Sequence, residues 1–264
     1  MVQLTMRGRT RAALAQGGIR TIDAADLGEA LSRGFDDFKA MPSHFLFLSI
    51  IYPVIGLFLA RIAIGNDVLP LLFPLAAGFA LIGPFAAIGL YELSRRREQG
   101  HEPFVWHGLA AFQSRQMFAI ATVAVVLAVI FVAWLVTAQI VYQVTLGPAP
   151  PASLGAFIHD LLTTPAGWAL IIIGNGLGFF FAVVALSLSV VSIPLLLDRD
   201  VSALTAMETS LHTVFVNPKP MAMWGSIVAG GLVVGSLPCF LGLVVVMPIL
   251  GHSSWHLYRK VIES

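Results

Sequence analysis

His252 and His256 stand four residues apart in the stretch GHSSWHLYRK, with Trp255 and Tyr258 flanking the second and Arg259 and Lys260 following. On a helix, that spacing puts both imidazoles on one face, a geometry that chelates a metal or ligates haem. A zinc site needs three or four protein ligands, so the pair would require others, and His44 and Glu92 are the first candidates. The competing reading is a helix leaving a membrane. In that case Trp255 and Tyr258 sit at headgroup level, Arg259 and Lys260 snorkel to phosphate, and the histidines hydrogen-bond to neighbouring helix ends.

More histidines and charges are expected on the same side of the chain: His101, His107, His212, Glu102, Arg95, Arg96 and Arg97. Glu92 precedes the arginines by about one helical turn, so pairing with Arg95 or Arg96 competes with a place among the histidines. A different polar residue, Asn175, falls inside an apolar run. It is expected to bridge to a neighbouring helix or, in the alternative, to line a substrate path. Gly174 and Gly178, and likewise Gly231 and Gly235, have the spacing that lets helix backbones approach in lipid. Pro53, Pro84, Pro194 and Pro248 fall within apolar runs and are expected to kink them.

The elements that must hold these residues follow from composition. Hydrophobic residues make up 58% of the 264 and charged residues 11%, against roughly 25% charged in ordinary soluble domains. Several apolar runs exceed the roughly 20 residues that cross a bilayer. The fold class is therefore all-α, a polytopic membrane helical bundle. A net charge of +1 argues against nucleic acid, which needs clustered, unneutralised cations. The single cysteine, Cys239, excludes an intrachain disulfide and any multi-cysteine metal site. Phosphate loops, HExxH and GxSxG are absent from the sequence, and no acidic or basic residue occupies a predicted span centre, so neither a soluble-enzyme site nor ion pumping is indicated.

Residues 1–42 read as a cytoplasmic segment. Arg7, Arg9, Arg11 and Arg20 are followed by no apolar run with a small-residue cleavage site, so no cleaved signal peptide is expected. Leu27, Leu31, Phe35 and Phe38 form an apolar stripe that predicts an amphipathic helix on the membrane surface. The transmembrane domain, 43–264, is predicted to hold spans at 43–64, 70–93, 115–142, 167–197, 221–237 and 239–257, with a polar loop over 143–166. The fourth run is overlong and must tilt, bend or project. A second cytoplasmic surface helix is expected after Asp200 as N-cap, with Leu204, Met207, Leu211, Val214 and Phe215 as its apolar face and a stop at Asn217 and Pro218. Splitting 221–257 at GSLP, residues 235–238, yields six spans rather than five. Of the 15 Lys and Arg residues, six spans with both termini in the cytoplasm leave only Arg61 outside. Five spans would move Arg259 and Lys260 outside as well, against the positive-inside rule.

Four stretches in order, DLGEALSRGFDDF, YPVIGL, GPFAAIGLYELSRRREQG and MPILGHSSWHLYRK, resemble the bacterial integral membrane family DUF2189, over nearly the whole chain after about residue 20. The resemblance implies a multi-helix bacterial inner-membrane protein and carries over no catalytic residue. The leading expectation is a non-enzymatic accessory or scaffolding subunit without a cofactor, in contact with the lipid bilayer and a membrane-protein partner or a second copy. The alternatives are a small-molecule transporter or channel near Asn175, and haem or metal chemistry at the histidines.

Overall fold

The computed structural model describes residues 18–41, 69–71, 74–75, 87–101, 116–238 and 240–263. They are helical apart from connecting segments, and no β-strand occurs among them. The expected first span, most of the second, and Pro53, Pro84, Arg61, His44, Glu102, His107 and Cys239 lie outside the described residues.

Helix α1, Ala24–Ala40, begins at Asp23, whose carboxylate accepts from Ala25 and Asp26 while Asp26 answers back to the Asp23 N–H, a capping box. A short 3-10 turn, Leu69–Leu71, precedes α2, Ile88–Glu98, whose last turn carries Arg95, Arg96 and Arg97. Helix α3 runs over Met117–Thr145, 29 residues. The stretch expected as a polar loop contains a further helix, α4, Leu154–Thr163, capped by Ser153. Thr164 and Pro165 then start α5, Pro165–Ser189.

The overlong fourth run resolves its length by breaking: α5 turns at Val190 and Val191 and resumes as α6, Ser192–Asp198. Pro194 accounts for the position, because its missing N–H removes the bond that would reach the Val190 carbonyl one turn back. Ser210 Oγ accepts the Val191 N–H at 3.2 Å and closes the break. Helix α7, Ala203–Val216, is capped by Ser202 rather than by Asp200, which instead accepts from Gln116. Helix α8, Pro218–Ser236, and helix α9, Leu243–Val261, replace the single long final helix, with a turn between them in which Phe240 takes a positive φ of 66°. Gly235 and Gly242 pack backbone to backbone across that turn.

Met117–Thr145 and Pro165–Asp198 are each long and apolar enough to cross a membrane. The bundle has two unlike ends. Around α1, α2, α6, the starts of α3 and α8 and the second half of α9 lies a buried core that includes Leu27, Ile88, Ile120, Leu196, Trp224 and Trp255. Elsewhere α3, α5 and α8 turn large apolar side chains outward, among them Val129, Val136, Phe179 and Val233, as a lipid-facing surface does.

In lipid the usual inside-out rule weakens, since hydrocarbon solvates an apolar face as well as protein does. On helix α7, Leu204, Leu211 and Phe215 of the expected apolar face point outward, Phe215 at 73% exposed. The face that packs inward on α5, α6 and α3 is Ala206, Thr209, Ser210 and Thr213. Helix α1 is also rotated from expectation. Its buried line is Leu27, Ala30, Gly34 and Asp37, with Phe35 outward, and it lies along α9. Gly34 makes this approach possible, because a Cβ there would come within 2.6 Å of the Ser253 nitrogen.

The segment before α1 ends beside the segment after α9. Ile19 and Ile262 form an antiparallel bridge, Arg20 N donates to Val261 O at 2.8 Å, and Glu263 N donates to Gly18 O at 3.0 Å. Asn217, in the joint between α7 and α8, accepts from Ile22 N at 2.8 Å and donates to Arg20 O at 3.0 Å. Residues 18–22 and 261–263 therefore share one side of the molecule.

Candidate functional site

Helix α9 presents the histidine pair to α1 and α2 rather than to a membrane surface. Asp37, on the inner line of α1, reaches His256 Nε2 with Oδ2 at 2.9 Å. The same oxygen accepts from Ser94 Oγ of α2 at 2.5 Å, and Ser94 Oγ contacts His252 Nδ1 at 2.7 Å. Arg97 pairs with the other Asp37 oxygen. His252, Ser94 and Asp37 are buried, and His256 is nearly so. Burial pushes the Asp37 carboxyl up, but hydrogen bonds from His256 and Ser94 and the nearby imidazoles outweigh it, so the group ionises below the ordinary carboxylate range.

A second layer surrounds this centre. Glu92 is buried and takes Arg95 at 2.7 Å and Arg96 at 2.7 Å, the pairing that helical neighbourhood anticipates, so the carboxylate at the histidines is Asp37 and not Glu92. Glu98 accepts from Trp255 Nε1 at 3.2 Å and from Arg259 at 3.1 Å. Asp198, at the end of α6, accepts from the Tyr258 hydroxyl at 2.6 Å, with Arg259 at 3.6 Å. Lys260 reaches Asp26 at 3.2 Å and also Glu29 on α1.

The headgroup-anchor expectation for this stretch is thereby corrected. Trp255 and Tyr258 are 0% exposed, and Arg259 and Lys260 are paired with carboxylates of other helices. Asp37 is the residue sequence reasoning missed. Its signal was its place in line with Leu27, Ala30 and Gly34, where a carboxylate on a small-residue packing face calls for a partner on the facing helix.

The four residues join three helices through short polar contacts in a closed interior. Ser94 bridges a carboxylate and an imidazole, a combination of groups that also activates nucleophiles, but a serine only 1% exposed meets no substrate. Among the described residues, no group of three or more His, Cys, Asp or Glu side chains has the arrangement of a metal site. Of the other candidate histidines, His101 and His212 are exposed.

At the opposite end of α3 and α5, Asn175 lines a cavity of about 380 Å³ together with Trp134, Thr137, Phe157 and Leu161. Its amide donates to the Ile171 carbonyl of its own helix at 2.7 Å, so the expected interhelical bridge is not what this amide makes. The four glycines singled out differ in surroundings. A Cβ on Gly235 would come within 3.2 Å of the Leu243 nitrogen, and one on Gly231 would press on Val246 and Leu250 of α9. A Cβ on Gly178 would lie 3.5 Å from the Trp134 ring, an ordinary contact, while one on Gly174, which borders the cavity, would meet among the described residues only Leu170 of its own helix.

The bundle thus joins two helices long and apolar enough to cross a membrane to an end whose charged side chains pair with one another. The family model described as predicted integral membrane protein, DUF2189, matches residues 72–198. The stretch GPFAAIGLYELSRRREQG falls inside the match, whereas the other three motifs that carried the resemblance lie outside it. No curated protein and no solved structure matches the chain.

Proposed function

We propose that this chain is a non-enzymatic accessory or scaffolding subunit of a bacterial inner-membrane complex, with six spans and the charged end in the cytoplasm. The observation that carries the reading is the closed network at Asp37, Ser94, His252 and His256. The chemically densest region holds helices together instead of facing a substrate. Such a network orders the charged end of the bundle and leaves its outer faces for docking.

The side-by-side position of residues 18–22 and 261–263 supports an even number of crossings, as six spans require. The lysines and arginines of the network support a cytoplasmic placement, by the positive-inside rule.

On the outward face of α1, Phe35 is half exposed, stacked on Phe38 at 6.1 Å between ring centroids, with Lys39 over its ring at 4.8 Å. A photo-crosslinking residue at position 35 in native membranes tests the reading. Adducts with one membrane protein, whether a different subunit or a second copy of this chain, are expected. Adducts with lipid alone would contradict it.

A second reading, transport or conduction of a small molecule, rests on the cavity beside Asn175. Polar groups at membrane depth mark pathways in that class of protein. Its requirement is solute flux in reconstituted vesicles that depends on Asn175.

A further inference from the structure

We propose that the cavity between α3, α4 and α5 is a binding site for one hydrocarbon chain of a membrane lipid, entered sideways from the bilayer while the headgroup stays outside. The cavity, about 380 Å³, falls at the lower end of ligand pockets, which span roughly 300–1,000 Å³. Among the described residues that line it, Pro70 and Pro74 included, none is charged, so these offer a phosphate or ammonium group no partner.

Two polar side chains in its wall bond within their own helices. The Thr137 hydroxyl donates to the Ala133 carbonyl at 2.8 Å and the Asn175 amide to the Ile171 carbonyl at 2.7 Å. Water needs two to four polar partners to settle in a cavity, and apolar walls favour hydrocarbon instead.

The way in is on the apolar surface. Helix α4 borders the cavity with Leu154, Phe157, Ile158 and Leu161, yet Leu154 and Ile158 are also 42% and 45% exposed. The adjoining outer surface carries Ile140 of α3 and Ile172 of α5, both exposed. A chain passing from the bilayer between α4 and the two long helices stays in contact with apolar atoms throughout. Gly174 widens the wall where the chain would lie, because among the described residues only Leu170 of its own helix comes near the space its missing side chain leaves.

Trp134 is the reporter: it lines the cavity and is 6% exposed, so a quencher in the bulk bilayer does not reach it. The test uses full-length protein in vesicles of phosphatidylethanolamine and phosphatidylglycerol with brominated acyl chains. The emission attributable to Trp134 is the difference between wild type and Trp134→Phe.

Quenching of that component, largely lost in Ala138→Phe with helicity unchanged, is the expected result. Gly174→Leu serves as a second cavity-filling variant should Ala138→Phe fail to fold. An unquenched Trp134 component, or equal quenching in wild type and filled variants, would overturn the proposal. Quenching by a free brominated alkane but not by the brominated lipids would overturn it as well, making the occupant a small apolar solute.

Discussion

The Asp37 carboxylate of α1 and the His256 imidazole of α9 meet at 2.9 Å between Oδ2 and Nε2, joining side chains 219 residues apart in the chain. Ser94 and Arg97 of α2 close on the same carboxylate, so one acidic group gathers three helices. Removing one partner of a buried charged network leaves the others desolvated and unmatched, at about 3–5 kcal/mol. Asp37→Ala is therefore expected to lower the detergent melting temperature strongly, and Asp37→Asn, which keeps part of the hydrogen bonding, less so. Equal melting of both variants and wild type would show that α1 docks without this group.

Acid should loosen the same contact. Because the Asp37 carboxyl ionises lower in the folded chain than in an unfolded one, its contribution is fully present above the ordinary carboxylate range. That contribution is lost as pH falls through the depressed folded value. The hydrogen-exchange protection factors of residues 24–40, corrected for the intrinsic pH dependence of exchange, are expected to stay high at neutral pH and to fall only below about pH 4, the usual aspartate range. In Asp37→Asn this acid-dependent step should shrink.

Two glycines on α1 should behave oppositely. A side chain on Gly34 collides with Ser253, whereas a Cβ on Gly28 meets nothing within 4 Å. Gly34→Ala is expected to release α1 from α9, seen as protease sensitivity of residues 24–40. Gly28→Ala is expected to stabilise by about 0.5–1 kcal/mol through helix propensity alone.

Larger side chains at the spaced glycines of the spans should divide in the same way. Gly231→Leu and Gly235→Leu separate α8 from α9 and are expected to lower melting, since short residues let these backbones meet. Gly174→Leu enters the cavity and is expected to melt like wild type. Asn175→Ala, which removes only a bond within one helix, should alter stability by less than about 1 kcal/mol. If that variant abolished solute flux in vesicles while melting normally, the transport reading would replace the accessory one.

Much of the frame was legible in the residues. The long helices α3 and α5 follow from apolar run length, and the separation of α8 from α9 follows from an apolar stretch too long for one crossing. The end of α7 at Asn217 follows from Pro218.

The orientation of faces was less legible, because lipid and protein interior solvate leucine alike. The inward face of α7 is small and polar, Ala206, Ser210 and Thr213, and no apolar stripe marked it. Helix α4 hid in a stretch weighted by its prolines, though Ser153 marked its start. At the network, the histidines were readable as a pair, but their partners Asp37 and Ser94 come from distant segments whose meeting depends on Gly34 fitting against Ser253.

The most direct test of the accessory role is the composition of the particle released from native membranes in mild detergent, read by native mass spectrometry together with an absorption spectrum. A stoichiometric complex with another membrane protein or a second copy of this chain, and no haem band, is expected. A lone protein that conducts a solute when reconstituted, or one carrying stoichiometric haem or metal lost in the His252→Ala, His256→Ala variant, would contradict it.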